Sequence, residues 1–253
     1  MSENVVSPSE GWGVVHLFLR ARRGESAAAA MAAIDRFCAS DPNYVRAFSV
    51  LGGRADIGFM CVSPNLTALD ILVKELTSGP LEHLDSFVSV TELSEYISTE
   101  EMERARLEKA GETDIDAKMA AWHERMVVYR ENKLHPRMPM RKFICFYPMS
   151  KKRDVGANWF ELPFEERRRL MGGHARSGKP HQPNILQLIT GATGWDDWEW
   201  GVTLLSDDPL AVKQVVYEMR FDEASATYAV FGPFWVGMMM EPGDVFKRCG
   251  LSL

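Results

Sequence analysis

The strongest constraint on the fold of this sequence is the order of its predicted strands and helices, because the same order occurs twice. Between residues 11 and 97 the pattern predicts strand, helix, strand, strand, helix, strand. The order returns between residues 140 and 253, although the two halves show no visible sequence identity. The predicted strands are 11–20, 44–51, 56–63, 86–92, 140–147, 185–190 and 198–205, with a β-rich run at 225–236, and the predicted helices are 26–40, 65–77, 163–174 and 208–219.

Two successive βαββαβ units predict an α+β fold of duplicated ferredoxin-like units, with antiparallel sheets and helices on one face. We expect an N-terminal ferredoxin-like domain at 11–97 and a C-terminal one at 140–253. Between them, residues 98–139 form a charged helical insertion or linker. Its charge pattern fits either a solvated surface or an oligomer contact, and both interpretations stay open.

Composition excludes several classes of protein. The 253 residues are 46% hydrophobic and carry a net charge of −6, which excludes a disordered chain and argues against a nucleic-acid binder. No apolar run reaches the roughly 18 residues of a membrane span, and residues 1–10 lack the pattern of a signal peptide. Four scattered cysteines show no metal-ligand spacing, and buried free thiols are expected for Cys61 and Cys145. These features predict a cytoplasmic protein with reduced thiols.

One of the six histidines has a setting that indicates a ligand. Leu170, Met171 and His174 share one face of a predicted helix, which is expected to pack on the second sheet. A neutral imidazole there would be either a hydrogen-bonded core histidine or an axial ligand to haem iron. No second histidine or carboxylate has zinc-type spacing to it, so a closed protein-only metal site is not expected.

The segment 143–153 places an apolar strand directly before three cations. Proline is expected to stop the strand at Pro148, which leaves the Tyr147 phenol at the strand end beside Lys151, Lys152 and Arg153. In an acidic protein this cluster is either a solvated basic loop or a local positive field for an anionic ligand with an apolar body.

Two further polar residues occupy positions where an apolar core does not need them. Gln187 shares a strand face with Ile185 and Ile189, so its amide requires a hydrogen-bond partner or a polar pocket. Arg220 ends a predicted helix, before a strand expected to begin at Ser225. Its guanidinium would either cap helix carbonyls or contact an anionic ligand.

Four motifs together resemble one known family. They are Phe146-Tyr-Pro-Met-Ser-Lys-Lys-Arg153, Leu170-Met-x-x-His174, Asp196-Asp-Trp-Glu-Trp-Gly-Val-Thr203 and Tyr217-Glu-Met-Arg-Phe-Asp-Glu223. The sequence is similar to coproheme decarboxylases, the haem-biosynthesis branch of the chlorite-dismutase-like superfamily. The resemblance extends over nearly the whole chain and is most specific between residues 140 and 236.

The resemblance implies a fold of the dimeric α/β-barrel type and a homopentamer. Each subunit would bind iron coproporphyrin III (coproheme) in its C-terminal half, as substrate and redox cofactor at once. Hydrogen peroxide would be the oxidant, and two propionates would become vinyls to give haem b. The pathway would also imply a transient contact with a coproporphyrin ferrochelatase.

The resemblance also implies roles for individual residues. His174 would be the axial iron ligand, Tyr147 the catalytic tyrosine whose radical abstracts hydrogen from a propionate, and Lys151 the group that holds or protonates the reacting propionate. Pro148, Met149 and Ser150 would line the substrate pocket. Gln187 would lie on the distal side of the iron, and Arg220 and Ser225 would contact propionates.

The chain departs from the family at one position and leaves two rival functions open. Lys133 stands where the family often has an arginine, and lysine cannot pair with a propionate in the bidentate manner of arginine. A chlorite dismutase would use a distal arginine where this chain has Gln187. A non-catalytic haem-binding or haem-delivery protein would keep His174 and leave Tyr147 and Lys151 as packing and rim residues.

Overall fold

A computed structural model describes residues 4–253. Residues 1–3, the start of the segment expected to lack a targeting signal, lie outside the described part. The first half follows the predicted order, with elements β1 Gly13–Ala21, α1 Ala28–Cys38, β2 Tyr44–Val50, β3 Ile57–Ser63, α2 Leu66–Leu76 and β4 Leu81–Thr91. Within residues 4–253, none of the helices is long and apolar enough to cross a membrane.

The insertion and the second half contain the remaining elements. The insertion forms two helices, α3 Glu100–Lys109 and α4 Ile115–Leu134. The second half consists of β5 Phe143–Lys151, β6 Arg153–Asp154, β7 Ala157–Asn158, α5 Phe164–Gly178, β8 Leu186–Gly191, β9 Trp200–Ser206, α6 Pro209–Glu218, α7 Glu223–Tyr228, β10 Ala229–Phe231, β11 Trp235–Met240 and α8 Pro242–Arg248.

The long strands form one closed antiparallel ring. The order within the first half is β4-β1-β3-β2, and the order within the second is β8-β9-β5-β11, so both halves have the ferredoxin-like arrangement. Pairing of β11 with β2 and of β4 with β8 joins the halves into a barrel. The α+β fold class and the duplication are therefore confirmed, whereas the domain boundaries stay a prediction.

The barrel interior is a core to which both halves contribute. Phe18 of β1 stacks on Trp235 of β11 with ring centroids 3.9 Å apart, and Phe146 of β5 lies 5.8 Å from Phe18. The fully buried His16 stacks on Phe146 at 3.9 Å and shares a hydrogen bond with Thr203 of β9. Because the interior is filled by aromatic side chains, it is a packed core rather than a channel.

The helices cover the outer face of the ring differently in the two halves. In the first half, α1 and α2 pack on the strands and on each other, over an apolar cluster that also includes α8. In the second half, α6 packs on β9, but α5 makes its main contacts with α7 and with the turns at 179–181 and 219–221. The apolar residues of α5 accordingly belong to a separate cluster from those of the sheet beneath. α5 therefore packs little on the strands directly, and the region between α5 and the outer face of the sheet is called the slot.

The expectation that Pro148 stops the strand was wrong, because β5 continues to Lys151. The carbonyl oxygen of Pro148 accepts a hydrogen bond from the Gly232 backbone at 2.8 Å. The nitrogen of Pro148 faces the same edge of β5, where the chain crosses from β10 to β11. That edge has a break in its ladder at this point, so the missing N–H of proline leaves no strand partner unpaired.

The expectation that Ser225 opens a strand was also wrong, because Ser225 lies in α7. The Asp222 side chain accepts the Ser225 backbone N–H at 3.1 Å and so caps the N-terminus of that helix. The β-rich run at 225–236 divides into α7, β10 and the start of β11. The hairpin β6–β7 and the helix α8 were not predicted from the sequence.

Candidate functional site

The alternation of side chains along β5 sorts the predicted site residues between two faces. Tyr147, Met149 and Lys151 lie on the outer face, toward the slot under α5. Pro148 and Ser150 lie on the opposite face, and Pro148 lines a cavity at one end of the barrel. The structure therefore brings three of the five predicted β5 residues together.

Tyr147 is a buried phenol in an aromatic and apolar environment. Its ring stacks on Phe234 with centroids 4.5 Å apart and lies 5.8 Å from the ring of Phe231. Its hydroxyl forms no hydrogen bond with any residue in the described part of the chain. Burial raises the pKa of Tyr147, and the nearby Arg220 cation opposes that change. The phenol therefore stays protonated at neutral pH, with its O–H available to a ligand.

Lys151 is a buried cation at the end of the same strand face. Its Nζ lies 4.4 Å from the centroid of the Trp159 ring. Burial lowers the pKa of Lys151 to about 8, and the carboxylates of Asp222 and Glu199 oppose that change. Because its pKa lies close to neutrality, Lys151 can be a cation toward a carboxylate ligand or supply a proton to it.

His174 is held from one side by a carboxylate. Its Nδ1 lies 3.0 Å from Oδ2 of Asp222 and 3.3 Å from the hydroxyl of Ser225. An Nδ1–H donated to Asp222 fixes the tautomer that leaves a lone pair on Nε2. Nε2 has no hydrogen-bond partner among residues 4–253, and the side chain is 27% exposed. The Nε2 lone pair of His174 is therefore available to ligate a metal.

Arg220 and Gln187 extend the same face. The Arg220 guanidinium lies 5.0 Å from the Phe231 ring, beside Tyr147, and is exposed. Gln187 of β8 pairs with Leu204, which in turn pairs with Cys145, so Gln187 is two strands away from β5. Its side chain is exposed rather than buried in the core. Both residues can contact a ligand that covers this face.

Within residues 4–253, no contact of Lys133 connects it to the other predicted site residues. It lies in the last turn of α4, with its Nζ 5.9 Å from the Tyr129 ring. Burial lowers the pKa of Lys133, and no carboxylate of the described residues forms an ion pair with it. Ser150 is engaged elsewhere, since its hydroxyl accepts the Glu199 backbone N–H at 3.2 Å.

The structure reveals two carboxylates that the sequence analysis did not single out. Asp222 contacts His174 and acts electrostatically on Lys151, so it connects two predicted site residues. Glu199 is almost fully buried; one oxygen accepts the Lys151 backbone N–H at 2.8 Å and the other pairs with Arg153. Asp222 could have been identified from the sequence as a helix N-cap, because an aspartate three residues before Ser225 can accept its backbone N–H.

The arrangement suits a large, flat ligand that carries both a metal and carboxylates. Half-buried apolar side chains pack against the cluster that contains Tyr147, among them Met149, Met219 and Val236. Two cations, Lys151 and Arg220, lie beside this apolar wall, and one histidine offers Nε2. In the described part of the chain, no group of three or more metal-binding side chains comes together. A metal at His174 would therefore need most of its ligands from a prosthetic group.

Comparison with known sequences gives a consistent set of relatives. The sequence model of the chlorite dismutase family matches residues 23–240. A protein of Natronomonas pharaonis, named as a candidate heme-binding protein, is 39% identical over 78% of this chain and 32% of its own length. A similarly named protein of Haloarcula marismortui is 36% identical over 81% of this chain and 30% of its own length. The chain thus spans about a third of the length of these relatives.

Solved structures share the same fold. A heme-binding protein from Thermus thermophilus has a TM-score of 0.77 and 32% identity, and the match covers 99% of each chain. The chlorite dismutase of Candidatus Nitrospira defluvii in complex with imidazole has a TM-score of 0.71 and 14% identity, over 96% of this chain and 97% of that one. The second similarity concerns the fold alone.

Proposed function

This chain belongs to the chlorite dismutase family, and from that membership we propose that it binds coproheme and oxidatively decarboxylates two propionates to give haem b. The observation that carries this proposal is the placement of Tyr147, a buried phenol without a protein partner, on one strand face with the Lys151 cation. The names of relatives from Natronomonas pharaonis and Thermus thermophilus, which refer to heme binding, support the choice of a porphyrin ligand.

The residues present fit an iron porphyrin. His174 would hold the iron through Nε2, since Nδ1 is engaged by Asp222. The half-buried apolar side chains beside Tyr147 would cover the macrocycle, and Gln187 would lie on the exposed part of the same sheet face. Lys151 and Arg220 would pair with propionates, as would Ser225 through its hydroxyl.

Each propionate requires a two-electron oxidation. Conversion of the –CH2–CH2–COO⁻ group to a vinyl releases carbon dioxide, one proton and two electrons, and one molecule of hydrogen peroxide takes up two electrons and two protons to give water. Bound iron porphyrin supplies the oxidising power from peroxide. Tyr147 would lose an electron and its proton, and the resulting radical would abstract hydrogen from the propionate β-carbon. Lys151 would orient that propionate and exchange a proton with it.

Other parts of the proposal concern the assembly and its surroundings. We propose a homopentamer in the cytoplasm, with coproheme delivered through transient contact with a coproporphyrin ferrochelatase. Lys133 would contribute a cation to a propionate, since no described carboxylate pairs with it. Pro148 and Ser150 would act by shaping the backbone of β5, because their side chains lie on the other face.

The decisive experiment is reconstitution of the full chain with coproheme, followed by titration with hydrogen peroxide and mass analysis of the porphyrins. Stepwise loss of two carboxyl groups, through a three-propionate intermediate, supports the proposal. Tight binding without a change of mass contradicts the decarboxylase and leaves a haem carrier. Turnover of chlorite without decarboxylation favours a chlorite dismutase instead. Such an enzyme would work without the distal arginine, because this chain has Gln187 at that position.

A further inference from the structure

The hairpin β6–β7 and the single helical turn that follows it cover the end of β5. Trp159, the first residue of that turn, is 3% exposed, and its backbone N–H donates to the Lys152 carbonyl at 2.9 Å. Its ring packs edge-to-face on Tyr228, with centroids 5.3 Å apart. The Asn158 side chain caps the turn by accepting the Phe160 N–H at 3.0 Å. Contacts with the hairpin and with α7 thus fix the position of the Trp159 ring.

Lys151 directs its charge at that ring. Its side chain is buried, and Nζ lies 4.4 Å from the centroid of Trp159, which is a cation–π distance. Within residues 4–253, Nζ forms neither a hydrogen bond nor an ion pair. A buried ammonium without an anionic partner is unfavourable, and the negative potential of the indole face offsets part of that penalty.

The carboxylates near Lys151 are engaged by other groups. One oxygen of Glu199 accepts the Lys151 backbone N–H, and the other pairs with Arg153. One oxygen of Asp222 is hydrogen-bonded to His174, and the other caps α7. Both charges act on the ammonium from a distance. The remaining charged groups at this strand end, which line a small pocket with Lys151, are Lys152, Arg153, Asp154 and Asp197.

An aromatic contact differs from an ion pair in what it leaves available. A carboxylate would compensate the charge of the ammonium and accept from its N–H groups, whereas a ring face holds the cation with its charge uncompensated. The N–H groups that point away from the ring stay free for a ligand in the slot. We propose that Trp159 is the positioning residue of Lys151, whose ring holds the ammonium at the end of β5 ready for a propionate. This role rests on the proposed function.

Fluorination of the Trp159 ring tests this role, because it weakens the negative potential of the ring face and leaves the size of the ring nearly unchanged. Tryptophan with one, two or three ring fluorines is introduced at position 159 of the full chain. In the ligand-free chain, NMR of lysine labelled with carbon-13 at Cε follows the titration of Lys151, whose signal is identified by its loss in Lys151→Met. Weaker attraction favours the neutral amine, so the pH midpoint should fall stepwise, by about 0.5–1 pH unit over the series.

Coproheme affinity supplies a second measurement. The pH at which affinity falls should move down in parallel with the ligand-free titration of Lys151. A ligand-free midpoint that stays constant over the fluorinated series would overturn the proposal, since Trp159 would then only pack. A moving midpoint that coproheme affinity does not follow would also overturn it, because the ring would not act on the ligand.

The same series at Trp12 is the matched control. The Trp12 ring also holds a cation, the Arg137 guanidinium at 5.4 Å, so its fluorination weakens a cation–π contact that does not involve Lys151. Equal shifts in the two series would overturn the assignment to Trp159. A chain that shows both shifts only in the Trp159 series, yet keeps all coproheme propionates in peroxide, would support the positioning role and contradict the decarboxylase alone.

Discussion

The Nδ1 atom of His174 lies 3.0 Å from Oδ2 of Asp222, whose other oxygen accepts the backbone N–H of Ser225. One carboxylate therefore orients the imidazole of α5 and caps α7. Its charge also acts on the buried ammonium of Lys151. The proposed metal ligand and the proposed propionate contact are thus electrostatically connected through Asp222.

Substitution Asp222→Asn tests that connection. Asparagine also caps helices well, so α7 should be retained, but the neutral amide is a weaker acceptor for the Nδ1–H of His174 and orients the imidazole less firmly toward iron. We expect roughly 10- to 100-fold weaker coproheme binding, with a shifted iron–histidine stretching frequency in the Raman spectrum. Asp208→Asn is the matched control, because Asp208 caps α6 through Leu210 and contacts no histidine. Equal effects of the two substitutions would show that capping alone matters.

Substitution Tyr147→Phe tests the proposed role of the phenol. The ring and its stacking on Phe234 are preserved, so coproheme should bind within about twofold of the parent affinity. Decarboxylation should fall at least about 100-fold, because phenylalanine has no oxidisable O–H. The rate is measured by mass analysis of the porphyrins. Tyr217→Phe, which alters an exposed tyrosine, is the control. Haem b formation at the parental rate in the Tyr147 variant would show that this phenol is not the reacting group.

The buried ammonium of Lys151 predicts a pH dependence of stability. Burial lowers its pKa from 10.5 to about 8, so the unfolded chain binds more protons than the native one between these values. The contribution of Lys151 to stability should therefore rise with pH across that window, against the opposite contribution of the buried thiols and of Tyr147, whose pKa values burial raises. In Lys151→Met this contribution should disappear, so the pH profile should differ from that of the parent, and the variant should be more stable at pH 7 by about 1–3 kcal/mol. Chemical denaturation at several pH values measures both effects, and an unchanged pH profile would contradict the burial of the charge.

Coproheme binding should show the opposite trend. Since the ammonium attracts a propionate only when protonated, affinity for coproheme should fall as pH rises through about 8. The Lys151→Met variant should bind more weakly at pH 7 and lose this fall. Coproheme affinity is measured from the absorption spectrum at pH 6.5 to 9.5. An equal fall of affinity in the parent and in Lys151→Met would show that another group is responsible.

Substitution Glu199→Gln tests the anchoring of the β5 end. The charged carboxylate accepts the Lys151 backbone N–H and pairs with the exposed Arg153. The neutral amide should lower the free energy of unfolding by about 1–2 kcal/mol. It should also lower the pKa of Lys151 further, since one opposing carboxylate is lost. Glu161→Gln, at an exposed position without an ion pair, is the control and should change neither quantity.

Much of the fold could be predicted because local patterns determine its elements. The alternation of apolar residues predicts β1–β3, and Asn65 marks the start of α2, where its side chain accepts the Ala68 N–H. Pro148 misled the prediction because proline excludes only a ladder hydrogen bond on one edge of a strand. Whether that edge has a partner at this point depends on where β10 ends and β11 begins, more than 80 residues later. No local pattern contains that information.

The site could be predicted in part for a similar reason. Tyr147, Met149 and Lys151 share a face because strand alternation follows from sequence spacing. The contact of Asp222 with His174 joins two segments 48 residues apart, and the position of α5 above the sheet depends on α7. Such relationships arise from tertiary packing. The roles given to these residues rest on the family resemblance and stay predictions.

Closure of the barrel also has a consequence for synthesis of the chain. The first four strands can pair with one another as soon as they are made, but β2 and β4 then have unpaired outer edges. Their partners, β8 and β11, are added much later, and β11 is the last strand of the ring in chain order. Exposed strand edges are sites of aggregation. A nascent or truncated chain that lacks β11 should therefore be prone to self-association, and deletions that remove β11 should reduce soluble yield more than changes in the insertion.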